Sequence, residues 1–143
     1  MRKLIVAGVL AVLGSALLAI PVSASFDSHF SVLARQTSGD REQNGFRFTD
    51  KLLNPRNRRD KVGRDWGRCR FKPNIEKLRC RATIHLNGDI GGFGNISVSG
   101  DLGRHGRRVN VVGGTHDFNG AAGKMLIHSL TRNTDRLRFA LVR

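Results

Sequence analysis

The run Phe46-Arg47-Phe48-Thr49-Asp50 contains the first residue with a case for chemistry. Period-two alternation sets Phe46, Phe48 and Asp50 on one strand face, with Arg47, Thr49 and Lys51 on the other. A carboxylate beside two aromatic rings is partly desolvated, which raises its pKa and suits it to donate or accept a proton. Asp50 is therefore the candidate catalytic residue. The plain alternative is a strand-end acid paired with Lys51 or a nearby arginine. Phe48, Asp65, Trp66, His116 and Asp117 are candidate ligand contacts. Trp66, the single tryptophan, reads as either a pocket wall or a core residue, and His116 as an acid–base group. His85 and His128 fall among outward-facing polar residues and are expected to be solvated. The two cysteines, Cys69 and Cys80, have only His85 near them as a further ligand, so no metal is expected. Ser-His-Asp spacing, a phosphate-binding glycine loop and an H-E-x-x-H string are all missing, and no cofactor is implied.

The elements that must position these residues are strands. Cys80, Ala82, Ile84 and Leu86 alternate with Arg79, Arg81, Thr83 and His85; Leu137, Phe139 and Leu141 alternate with Arg136, Arg138 and Ala140. One apolar and one polar face is the pattern of antiparallel strands buried on a single side. Strands are expected near 29–35, 44–53, 61–71, 78–86, 93–99, 107–115, 122–130 and 136–142. Turn-forming residues separate them, among them Ser38-Gly39-Asp40, Asn87-Gly88-Asp89, Asp101-Leu102-Gly103 and Asn133-Thr134-Asp135. Such short, regularly spaced strands read as a closed barrel or a sandwich, and a barrel leaves no unpaired edge.

Composition bounds the class. The chain has 143 residues, 25 Lys+Arg against 11 Asp+Glu, a formal charge of +14, 39% hydrophobic residues, 17 Gly and 3 Pro. That length suits one domain, and the mixture excludes a membrane bundle, an acidic disordered tail and a collagen-like repeat. Met1-Arg2-Lys3, the apolar run Leu4–Ile20 and the small residues of Pro21-Val22-Ser23-Ala24 have the three-part layout of a secretory signal peptide over residues 1–24, against the alternative of a single membrane anchor. The mature domain is then 25–143, and the protein is expected to be secreted. In an oxidising compartment an even pair of cysteines is read as a Cys69–Cys80 disulfide between adjacent strands.

The segment Val111-Val112-Gly113-Gly114-Thr115-His116-Asp117-Phe118-Asn119-Gly120-Ala121-Ala122-Gly123 follows a fixed grammar: strand, glycine turn, aromatic anchor, small pair, next strand. It resembles the hallmark V-V-G-G-T-G-x-F-x-x-A-R-G of dirigent proteins, which share an eight-stranded antiparallel barrel with the allene oxide cyclases. Phe48-Thr49-Asp50-Lys51-Leu52 is similar to the cyclases' F-T-N-K-L, and Val62 through Cys69 to their V-G-x-x-x-G-x-C. With Gly88-Asp89-Ile90 through Gly100, the motifs cover residues 45–143 in order.

The resemblance implies an all-β eight-stranded antiparallel barrel whose cavity takes a small apolar or phenolic molecule. It also implies cofactor-free cyclization, isomerization or stereochemical steering. Asp50 stands at the cyclase asparagine that helps hold a water on the substrate oxygen, and Cys69 at a cavity cysteine. No acid lies between Phe30 and Arg35, where plant cyclases carry a cavity glutamate. Ala122 stands where dirigent proteins carry the arginine of A-R-G. His116 replaces the second turn glycine, so the left-handed backbone is expected to be less strict there. Relatives with this barrel form dimers or trimers, which leaves a homo-oligomer open.

Two basic stretches, Arg56 to Lys72 and Arg104-His105-Gly106-Arg107-Arg108, support a second reading: a non-enzymatic protein binding an anionic cell-surface polymer. The plain alternative is a solvated charged face. Few stacking aromatics accompany the charge, so sequence-specific binding of nucleic acid is not expected.

Overall fold

The computed structural model describes residues 28–73, 77–103 and 107–142. The leader expected over 1–24 lies outside the described residues, as do residues 74–76 and 104–106. No helix among the described residues is long and apolar enough to cross a membrane.

The strands are β1 (His29–Glu42), β2 (Gly45–Leu53), β3 (Lys61–Lys72), β4 (Lys77–Asn87), β5 (Phe93–Leu102), β6 (Arg108–Gly114), β7 (Ala122–Thr131) and β8 (Thr134–Val142). Each pairs antiparallel with the next, and β1 closes on β8 from His29 opposite Ala140 to Arg35 opposite Thr134. The result is a closed eight-stranded barrel, as the alternation and the resemblance anticipate. Val32, Ala34, Leu52, Ile84, Leu86, Ile96, Leu137, Phe139 and Leu141 fill its interior. The residues between them carry charge outward.

One end is plugged. A 3₁₀ turn over His116–Phe118 drives Phe118 fully inside. Its ring lies 6.4 Å from that of Phe30, which stacks on Phe139 at 4.6 Å. His116 is the one described non-glycine residue with positive φ, at 55°. The left-handed backbone is therefore retained where it was expected to relax, and histidine is among the residue types that tolerate it.

Two expected turns prove to be strand. β1 runs through Ser38-Gly39-Asp40 and reverses at Gln43-Asn44. Its pairing with β8 ends at Arg35, while its pairing with β2 continues to Glu42 opposite Gly45. Residues 36–41 thus form an exposed edge of the sheet, paired to β2 alone. β5 likewise continues through Asp101 and Leu102, because β4 extends to pair them with Arg79 and Leu78. The last hairpin turns at Arg132-Asn133, so Thr134 and Asp135 belong to β8.

Cys69 and Cys80 are directly opposed on β3 and β4 and form a disulfide, with Cα atoms 4.1 Å apart and a sequence separation of 11. On chain-entropy grounds a loop of this length contributes about 3 kcal/mol. The Cys69→Ala/Cys80→Ala protein is expected to lose about that much in urea unfolding. A midpoint and slope equal to the parent's would show that the bridge adds nothing.

Candidate functional site

Above the apolar plug the barrel is hollow. A cavity of about 500 Å³ reaches from mid-barrel to a rim marked by Phe71, Gly103, Arg107, Arg132 and Asn133. Ala34, Ile84, Met125 and Leu137 line its apolar walls, and Phe46 and Phe48 present their rings to it, centroids 6.3 Å apart. The disulfide forms part of the same wall. Room for the Phe48 ring comes from Gly67, which follows Asp65 on the inner face of β3: a Cβ there would lie 2.5 Å from Phe48 Cζ.

The polar content of this cavity is concentrated in one belt. Asp50 on β2 pairs across the strands with Asp65 on β3 and with Gln36 on β1. Asp135 on β8 lies opposite Ala34 of β1 and Ser129 of β7. All three carboxyls face inward. Ser129 Oγ donates to Asp135 Oδ1 at 2.7 Å and accepts from an Arg107 guanidinium N–H. Arg107, Arg132 and Asn133 complete the rim. The belt therefore runs from a buried acid pair at the floor to arginines at the mouth.

Asp65 is only 3% exposed and is the one buried charged residue among those described. Its Oδ1 has no hydrogen-bond partner. Burial first, and then the adjacent Asp50 carboxylate, push its pKa up to about 8. Asp50 is also raised by burial, offset by the hydrogen bond with Asp65. Asp135 adds like-charge repulsion to both. Two carboxyls in one low-dielectric site cannot both ionise cheaply, so the pair shares a proton near neutral pH. Asp65 carries it and donates to Asp50. The arrangement joins an acid and a base within one apolar chamber.

The candidate contacts from the sequence divide by location. Phe48 and Asp65 line the cavity with Asp50. Trp66, next to Asp65 on the same strand, points outward; it is 38% exposed and lines a groove on the outer wall, so it is neither core nor cavity wall. His116 and Asp117 sit at the plugged end, away from the cavity lining. Asp117 Oδ2 accepts the Phe93 N–H at 2.8 Å, and His116 meets the Phe93 ring edge-on at 4.9 Å. His85, expected to be solvated, is partly buried with its Nδ1 2.9 Å from Asn95 Oδ1. Asp135, Arg107 and Arg132 were not singled out. Asp135 was legible in principle, since it extends the Leu137, Phe139, Leu141 alternation by one step, but its neighbours read as a turn.

No protein-family model and no curated protein matches the chain. Solved structures do. The barrel is similar to pyocyanin demethylase, at a TM-score of 0.62 and 19% identity over 80% of this chain and 99% of that one. It is also similar to the pterocarpan synthase dirigent protein GePTS1, at 0.56 and 15% over 79% and 86% of the two chains. A third match is the pterocarpan synthase dirigent protein PsPTS1, at 0.54 and 13% over 79% and 91%. These likenesses establish the dirigent-like fold.

The pH dependence of stability follows from Asp65. Its folded pKa of about 8 lies above the ordinary aspartate value of 3.8. Between those two points the folded state holds more protons than the unfolded state, so stability falls as pH rises and levels off above about 8. Thermal midpoints should follow this slope, and Asp65→Asn should flatten it. An unchanged slope in Asp65→Asn would place the titration elsewhere.

Proposed function

We propose that the protein is an exported barrel that binds a small apolar or phenolic molecule and moves a proton on it without a cofactor. One observation carries this reading: a buried, protonated Asp65 with an unpartnered oxygen, side by side with the Asp50 carboxylate in the wall of a cavity of about 500 Å³. Asp65 supplies a proton to a carbonyl, phenolate or ether oxygen of the ligand. Asp50, relieved of its hydrogen bond, accepts one from a neighbouring position. The exchange leaves the ligand's composition unchanged, as isomerization and cyclization require, and the pair regains its single shared proton. Phe46 and Phe48 offer flat faces that orient an aromatic ring, so the chamber also fixes which side of a reactive ligand is open to attack.

Two of the similar barrels are named as pterocarpan synthase dirigent proteins and one as a demethylase of pyocyanin, which supports a small-molecule role. Export is supported by the signal-like residues 1–24 and by the paired cysteines. The basic clusters favour a second activity outside the cavity rather than a different use of it.

Coumarin is a suitable probe: a neutral aromatic lactone with a carbonyl acceptor and no titrating group. Equilibrium dialysis should show saturable uptake that weakens as pH rises through about 8, when Asp65 loses its proton. Asp65→Asn, which keeps a donor at every pH, should abolish that dependence. No saturable uptake, or uptake by the parent protein that ignores pH across that point, would overturn the reading.

A further inference from the structure

The outer face of the same wall carries an arrangement that costs stability and serves nothing inside the barrel. On β3 and β4 every second rung opposes two cations: Arg68 with Arg81, Arg70 with Arg79, and Lys72 with Lys77. Arg47 of β2 lies opposite Arg68 and extends the ladder by a strand. Like charges directly opposed across a sheet are destabilising. Acidic residues answer only part of this charge. Glu42 pairs with Arg47 and Arg68, each at 2.5 Å, and Asp101 with Arg79 at 2.7 Å and Lys72 at 3.1 Å. Those contacts hold the Glu42 and Asp101 carboxyls below their ordinary range. Among the described residues no ion pair reaches Arg70, Arg81 or Lys77, and all three are exposed.

Beside the ladder runs a groove of about 880 Å³ on the outer wall. Arg47, Arg68 and Arg81 line it together with the hydroxyls of Thr83, Ser97 and Ser99, and the one carboxylate in its lining is Asp40, opposite Arg47. Trp66 is in the groove, with the Arg64 guanidinium 5.1 Å from its ring centre. Successive outward residues on a strand stand on the order of 7 Å apart, so the cations form a track and not a point.

We propose that this outer face is a binding site for an acidic polysaccharide, a chain of uronate- or sulfate-bearing sugars. The unanswered guanidinium groups meet its anionic groups, the serine and threonine hydroxyls meet its sugar hydroxyls, and the single exposed indole packs on a pyranose face. A nucleic acid would need successive aromatic platforms for its bases, and of the two aromatic residues lining the groove only Trp66 faces outward, the Phe48 ring being turned to the cavity. The site is separate from the cavity, and its failure would leave the acid pair untouched.

Trp66 is the only tryptophan, so its emission reports on this groove alone. The oxidised protein should be titrated with a uronate oligosaccharide, with the methyl-esterified oligosaccharide as the neutral control. A saturable emission change is expected with the acidic chain only, and it should weaken with added salt. Arg70→Gln/Arg81→Gln should reduce affinity about two- to thirtyfold, since each exposed charge contact adds a modest increment. The same variant should melt no lower than the parent, because it relieves opposed charges. Equal binding of the esterified chain would overturn the proposal. So would an equal loss in Arg108→Gln/Arg138→Gln, remote on β6 and β8, which would reduce the effect to net charge. Tighter binding of single-stranded DNA with the same emission change would reassign the face to nucleic acid.

Discussion

The pairing of β3 with β4 is the contact on which both functional faces depend. Inward, it supplies Asp65 and the wall that Phe48 leans on. Outward, it brings Arg68, Arg70 and Lys72 against Arg81, Arg79 and Lys77. Repulsion between those rungs weakens the pair at the level of the cavity. The Cys69–Cys80 bridge lies between the first two charged rungs, on the opposite face of the sheet. A covalent link is indifferent to the charge beside it, and it fixes the register of the pair while the charges oppose it. The disulfide thus offsets the cost of a cation ladder on the outside of a wall that holds an acid pair on the inside.

The barrel separates stability from chemistry along its axis. Its plugged end is dense and apolar, with Phe30 between Phe118 and Phe139 and, among the described residues, no buried charged group. Its open end tolerates Asp50, Asp65 and Asp135 because the rest of the core is intact. Burial disfavours the Asp65 carboxylate and raises its pKa, so holding the group there costs free energy at neutral pH. A cost of that kind is common where a group is held ready for proton transfer, and rare where a residue serves packing alone. Replacing Asp65 with a neutral residue of like size would stabilise the fold and remove its acid.

Much of this was legible in the chain because a closed barrel repeats one rule. Cys80-Ala82-Ile84-Leu86 and Leu137-Phe139-Leu141 announce buried faces by alternation alone, and Phe46-Phe48-Asp50 does the same for the cavity. The rule also separates neighbours. Asp65 and Trp66 are consecutive strand residues, so Asp65 faces the cavity and Trp66 the outer groove. Ser38-Gly39-Asp40 has turn chemistry but lies on the edge paired to β2 alone, where pairing to one neighbour keeps the chain extended and polar residues meet water. Arg107 and Arg132 reach the cavity from strand-end positions that closure of the barrel brings to its mouth, a tertiary fact with no local sequence signal. The opposed cations are likewise invisible until the β3–β4 register is known.

The two faces lie back to back across one sheet, which raises the question of whether occupation of one alters the other. Removing a unit charge about 10 Å from Asp65 through water changes its energy by about 0.4 kcal/mol, roughly a third of a pKa unit. Salt reduces this further, since the screening length at physiological ionic strength is about 8 Å. The outer cations face solvent, so the water-like limit governs them. Burial dominates the Asp65 shift and is a property of the cavity walls, which a polymer on the outer face does not touch. An acidic chain docked outside would therefore leave the shared proton where it is. The barrel can be tethered to an anionic matrix and still present the same acid to a small ligand entering through its mouth.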